Sequence, residues 1–116
     1  MTGVGGSGVL SGVADISAAG YDTCALLSTG TVDCWGLNGN GQLGDGSTTD
    51  SLVPVQVVGE GGSGVLTGVS QVATGGTHTC ALFSAGTTAC WGWNYYGELG
   101  NGTTTGSSTP VEVLGL

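Results

Sequence analysis

The sequence contains no lysine and no arginine, and only 7% of its residues carry a formal charge. Ion pairs built on those two cations are therefore impossible, and eight acidic side chains leave a net charge of −8. Nucleic-acid affinity comes largely from cationic side chains that displace counterions along the phosphate backbone, so this chain is repelled by DNA and RNA. Anionic membrane surfaces are excluded as partners on the same ground. Long apolar runs are missing too. No window approaches the roughly 20 residues needed to span a bilayer, and the N-terminus lacks the basic region and apolar stretch of a signal peptide.

What the chain has in quantity is glycine, 26 of 116 residues, spaced between short Val, Leu, Thr, Cys and Trp runs without a collagen-like period. Short strands joined by tight turns produce that pattern. The chain also repeats itself. A shift of 56 residues lays Gly5 to Gly59 on Gly61 to Gly115 without a gap, with over half the positions identical. GGSGVL, TCAL and CWG all recur. A period of this size marks a solenoid, a propeller or an array, and divides the chain into a first repeat, 1–60, and a second, 61–116.

Each repeat holds four strand-like segments, in the first copy Val13 to Ser17, Thr23 to Ser28, Thr31 to Gly36 and Val53 to Val58. Ser28-Thr29-Gly30 and Ser84-Ala85-Gly86 separate the second and third segments, which suits a three-residue hairpin with glycine in the left-handed position of a bulge. The third and fourth segments are joined by a polar stretch, Leu37 to Leu52. Such a loop belongs on a rim where its backbone reaches water.

The stretches GYDTCALLSTGTVDCWGLNGNGQLGDGSTTDSLVPVQV and GTHTCALFSAGTTACWGWNYYGELGNGTTTGSSTPVEV resemble bacterial repeats of the regulator-of-chromosome-condensation (RCC) family. The motif TxxCWGxNxxGxLGxG carries the resemblance: Trp35-Gly36, Asn38, Gly41, Leu43-Gly44 and Gly46 recur at Trp91-Gly92, Asn94, Gly97, Leu99-Gly100 and Gly102. The family fold is a closed ring of four-stranded blades, usually seven. The resemblance therefore implies an all-β chain of two four-stranded antiparallel propeller blades. Some family members act as exchange factors for a small GTPase and bind chromatin, and a related bacterial propeller inhibits β-lactamases. Neither role transfers residue by residue, because fold does not transmit activity and the missing Lys and Arg speak against chromatin.

Four cysteines occupy equivalent places, Cys24 and Cys34 in one hairpin, Cys80 and Cys90 in the other. A three-residue turn puts 24 opposite 34 and 80 opposite 90, within disulfide reach. Cystine pairs imply an extracytoplasmic parent protein. Buried free thiols are the alternative, and a two-residue turn breaks the pairing. Zinc held by His78, Cys80 and Cys90 lacks a fourth ligand, and the first copy has Asp22 in place of His78. The same three residues offer no group to orient the histidine as a catalytic base. Asn38, Asn40, Asp45 and Asp50 sit in a Gly-rich loop but lack the ligand alternation of calcium sites, so turn chemistry explains them better. Asn101-Gly102-Thr103 fits the N-glycosylation pattern, a common three-residue match. No catalytic residue, cofactor site or metal site emerges.

Trp35 and Trp91 recur at one strand end, which assigns them to blade packing. Trp93, Tyr95 and Tyr96 have Leu37, Gly39 and Asn40 as partners in the first copy. With Asn94 they form a candidate interaction surface, since aromatic side chains dominate interface hot spots. The sequence thus reads as a non-enzymatic scaffold or protein-interaction module, complete through self-assembly or a piece of a longer repeat protein. A glycan-binding module using the rim aromatics is the alternative reading. Two blades leave one apolar face uncovered at each end, and repeat units generally need three or more for stability. Head-to-tail association of copies then closes a ring with an even number of blades, a trimer with six or a tetramer with eight.

Overall fold

A computed structural model describes residues 8–115. The second copy of the GGSGVL segment, 61–66, is described whole, whereas the first is described only from Gly8. Eight strands run in chain order: β1 (Val13–Ala19), β2 (Asp22–Leu27), β3 (Val32–Gly36), β4 (Ser51–Gln56), β5 (Val69–Thr74), β6 (His78–Phe83), β7 (Thr88–Gly92) and β8 (Ser107–Glu112). They form two antiparallel sheets in the orders β1-β2-β3-β4 and β5-β6-β7-β8. The fourth strand starts and ends two residues earlier than the sequence suggests. Pairing of Gly36 with Ser51 fixes its start, and Val57 turns inward to bond the Val32 carbonyl at 2.9 Å.

Each sheet is built on a tight hairpin. Leu27 and Thr31 close the β2-β3 turn, where the Gly30 N–H donates to the Leu27 carbonyl at 2.9 Å and Gly30 takes φ +85°. An L side chain is strained in that conformation, so glycine is required there and again at Gly86. The three-residue turn sets the register that pairs Cys24 with Cys34, and its twin pairs Cys80 with Cys90. Both copies bulge at the same places, between Val13 and Asp15 and between Cys34 and Gly36, then at Val69/Gln71 and Cys90/Gly92. Identical irregularities in both copies are features of the unit.

The two sheets pack face to face around one hydrophobic cluster. Side chains alternate across a strand, so Cys24 and Leu26 of β2 and Val32 and Cys34 of β3 share one face of the first sheet. Val69, Val72, Ala81 and Trp91 meet them from the second sheet, and Leu43, Val57 and Leu66 complete the cluster.

Candidate functional site

The seam between the sheets is the most elaborate part of the molecule. The rim loop after β3 crosses from the first sheet onto the second and delivers the Gln42 carbonyl, which accepts the Trp91 indole N–H at 2.9 Å and the Thr79 hydroxyl at 3.0 Å. Gln42 is fully buried; its side-chain Nε2 donates to the Gly76 carbonyl at 3.4 Å and its Oε1 accepts the Asn40 N–H at 2.9 Å. The indole lies so close to the loop that a Cβ on Gly44 would sit 2.6 Å from Trp91 Nε1. Further bonds cross from the Gly46 N–H to the Ser108 carbonyl, from the Val69 N–H to the Gly30 carbonyl, and from the Thr74 N–H to the Ser17 hydroxyl, each 3.0 Å.

Local chemistry explains why the loop can do this. Asn38 is fully buried: its Oδ1 accepts the Leu43 N–H at 2.9 Å, while its Nδ2 donates to the carbonyls of Ser47 and Thr49, both at 3.0 Å. Asp45 Oδ1 accepts from the Ser47 N–H and hydroxyl, and Asp50 Oδ1 accepts the Asn38 N–H at 2.7 Å. These carboxylates therefore brace a turn. The second loop repeats the scheme, with Asn94 Oδ1 taking the Leu99 N–H at 2.8 Å and Asn101 standing where Asp45 stood.

That role corrects one expectation. Asn94 was grouped with the surface aromatics, yet it is 1% exposed and its amide is spent on the Leu99 N–H and on the carbonyls of Thr103 and Thr105. The xNxxG spacing that recurs at Asn38 is the signal for this structural use. Its neighbours do reach the surface: Trp93, Tyr95 and Tyr96 stack in sequence, with ring centroids 5.7 and 5.0 Å apart. Trp93 and Tyr95 line a cleft of about 450 Å³ that also takes in Asn40 and Thr48 from the first loop, and no charged side chain borders it.

The two repeated tryptophans fare differently. Trp91 is fully buried by the first sheet's loop, whereas Trp35, at the same strand end, is half-buried because no loop crosses it. The cysteine pairs form disulfide bonds, Cys24 to Cys34 and Cys80 to Cys90, each with Cα atoms 4.1 Å apart. Their sulfurs are thus not available with His78 as ligands or nucleophile. Among the described residues, no group of three or more His, Cys, Asp and Glu side chains could hold a metal ion.

Two buried carboxyls were not foreseen as a feature. Asp22 is 3% exposed at the seam and Asp33 fully buried on the opposite face of the first sheet, and neither oxygen of either has a hydrogen-bond partner among the described residues. Burial pushes Asp22 up to about 6, opposed only in part by its own N–H and by the Thr79 hydroxyl, whose proton goes to Gln42. Burial raises Asp33 as well.

Two four-stranded antiparallel sheets stacked face to face, each with its outer loop lapped over the next, define a pair of β-propeller blades. Two family models, each described as the Regulator of chromosome condensation (RCC1) repeat, match residues 29–82 and 86–116, and 13–42 and 69–98. The chain belongs to that family. It is 41% identical over 97 residues to the ultraviolet-B receptor UVR8 of Arabidopsis thaliana, a match covering 83% of this chain and 21% of the receptor. It is 33% identical over 104 residues to the mitochondrial RCC1 domain-containing protein RUG3 of the same plant, covering 90% and 22%. Over 97 residues it is 33% identical to the human E3 ubiquitin-protein ligase HERC2, covering 84% of this chain and 2% of the ligase. Among solved structures, human WBSCR16 superposes with TM-score 0.71 at 25% identity, covering 86% of this chain and 24% of that one. Yeast RCC1 (Prp20) bound to Kap60 gives TM-score 0.74 at 22% identity, covering 90% and 23%. The chain spans about a fifth of the length of the first two curated relatives.

Proposed function

We propose that the chain is a non-enzymatic protein-interaction scaffold whose blades complete a propeller by head-to-tail association of copies of itself, three or four chains to a ring. One observation carries this reading: the residues that form the covered seam recur, uncovered, at both ends. Val69 and Val72 are 5% and 7% exposed at the seam, while their counterparts Val13 and Ile16 on the free face of the first blade are 38% and 50% exposed. Leu26 is 5% exposed, and Leu82, its counterpart on the free face of the second blade, 37%. Apolar faces of this kind stay soluble by finding a partner, and these two are complementary by construction. In yeast RCC1 (Prp20), the solved complex with Kap60 shows the same type of propeller engaged by another protein. The paired cysteines favour an extracytoplasmic setting.

Light scattering on a sizing column across a dilution series tests the reading. Three or four times the 11.2 kDa chain mass is expected. A folded single chain at every concentration overturns it.

The aromatic cleft supports a second reading, the binding of a neutral sugar. Trp93 and Tyr95 offer faces for C–H stacking, and Asn40, Thr48 and Ser108 offer hydroxyl and amide groups on the same cleft. A glycan array decides it, since a pure scaffold binds nothing there.

A further inference from the structure

The self-assembly proposed above gains a defined chemistry when each bond of the internal seam is carried 56 residues back along the chain. The acceptor Gln42 becomes Glu98 on the far loop of a second copy. Its donors Trp91 and Thr79 become Trp35 and Thr23 on the free face of the first blade. Among the described residues, the Trp35 indole N–H, the Thr23 hydroxyl and the Glu98 main-chain carbonyl make no hydrogen bond. Two backbone bonds carry over without any side chain: Gly46 to Ser108 becomes Gly102 N–H to the Leu52 carbonyl, and Val69 to Gly30 becomes Val13 N–H to the Gly86 carbonyl.

Space agrees with this mapping. At the internal seam a Cβ on Gly41 would lie 2.6 Å from the Ser108 Cα, and one on Gly30 would lie 3.3 Å from the Gly68 nitrogen. At the counterparts Gly97 and Gly86 nothing stands within 4 Å. The counterpart of Ser108 is Leu52, fully exposed, an apolar side chain placed where the far loop of another copy would land.

We propose that a second copy docks its Glu98 loop on Trp35, Thr23 and Leu52, reproducing the internal seam in a weaker, reversible form. The weakening is written in three substitutions between the repeats. Gln42 donates its amide to the Gly76 carbonyl, but Glu98 carries a carboxylate that has no N–H to give the corresponding Gly20 carbonyl. Glu98 otherwise holds the same pose, accepting the Tyr96 N–H at 2.7 Å as Gln42 accepts that of Asn40. Ser17 and Thr74, joined by hydroxyl bonds at the internal seam, have Ala73 and Ala18 as counterparts, so that bond has no equivalent between copies.

The proposal rests on the self-association reading, and sedimentation equilibrium over a dilution series separates the two. Glu98→Gln restores the missing donor without touching a buried position and is expected to tighten association by roughly five- to tenfold per contact. Trp35→Phe removes one bond and is expected to weaken it by a similar factor, and Leu52→Asp, at a fully exposed position, is expected to weaken it further. Circular dichroism on each variant confirms that the blades are folded. If the parent chain associates and all three variants match it, the docking geometry is wrong and self-association stands. If parent and Glu98→Gln chains are both folded monomers at every concentration, both readings fall.

Discussion

The Trp91 indole of the second blade donates its N–H to the Gln42 carbonyl of the first, across 49 positions of sequence. This contact joins the two repeats into one folding unit, because it buries the largest side chain of the seam and satisfies the one polar atom that side chain carries. Trp91→Ala is expected to cost about 3 to 5 kcal/mol and Trp91→Phe about 1 to 3. Trp35→Ala, at the half-buried counterpart, should cost the single chain less than Trp91→Ala. Urea titrations at low protein concentration, where copies are apart, give the ranking; equal costs would show that the seam does not set the burial of these rings.

Each rim loop hangs on one asparagine. Asn94→Ala strips partners from the Leu99 N–H and the carbonyls of Thr103 and Thr105, and it is expected to destabilise by about 2 to 4 kcal/mol, since orphaned buried groups cost more than a bond gains. Asn38→Ala should do the same in the first loop and also displace Gln42 from the seam. Thermal melts measure the cost. A change below about 0.5 kcal/mol, the range of an ordinary surface substitution, would return Asn94 to the interaction surface.

The disulfides close short rings, with partners 10 positions apart in each hairpin. Replacing Cys24 and Cys34 together by serine is expected to cost roughly 2 to 3 kcal/mol by the loop-entropy argument. Intact mass after alkylation without reductant checks the pairing directly. Labelling of all four thiols in protein purified under oxidising conditions would refute it.

Asp22 sets a pH dependence. Its carboxyl titrates near 6 in the folded chain against 3.8 unexposed to burial, so the folded state holds the proton more tightly than the unfolded state. The stabilisation is complete below about pH 4 and is lost as pH rises through about 6. Asp33, raised by burial as well, acts in the same direction. Asp22→Asn should therefore raise stability at pH 7.5 by on the order of 1 kcal/mol, after allowing for screening by nearby water, and change little at pH 4. Melting temperatures at the two pH values test this; a parent chain that is more stable at pH 7.5 would reverse the sign.

The repeat, the four strands per unit, the hairpin register and the cysteine pairing were all legible in the sequence, because they are local. A turn of three residues with glycine last leaves Cys24 one possible partner across the ladder, and a period of 56 residues declares two copies of one unit. Burial across the seam was not legible. Trp35 and Trp91 have the same neighbours in sequence and differ only in whether another blade's loop lies over them. Asn94 sits beside Trp93 and Tyr95 in the chain, yet turns inward because the loop closes around its amide. The loneliness of the Asp22 carboxyl likewise appears only once Gln42 has taken the Thr79 proton. Sequence determines the blade through bonds between residues close along the chain, and tertiary structure decides which face of each blade is covered, since that depends on groups about fifty residues away.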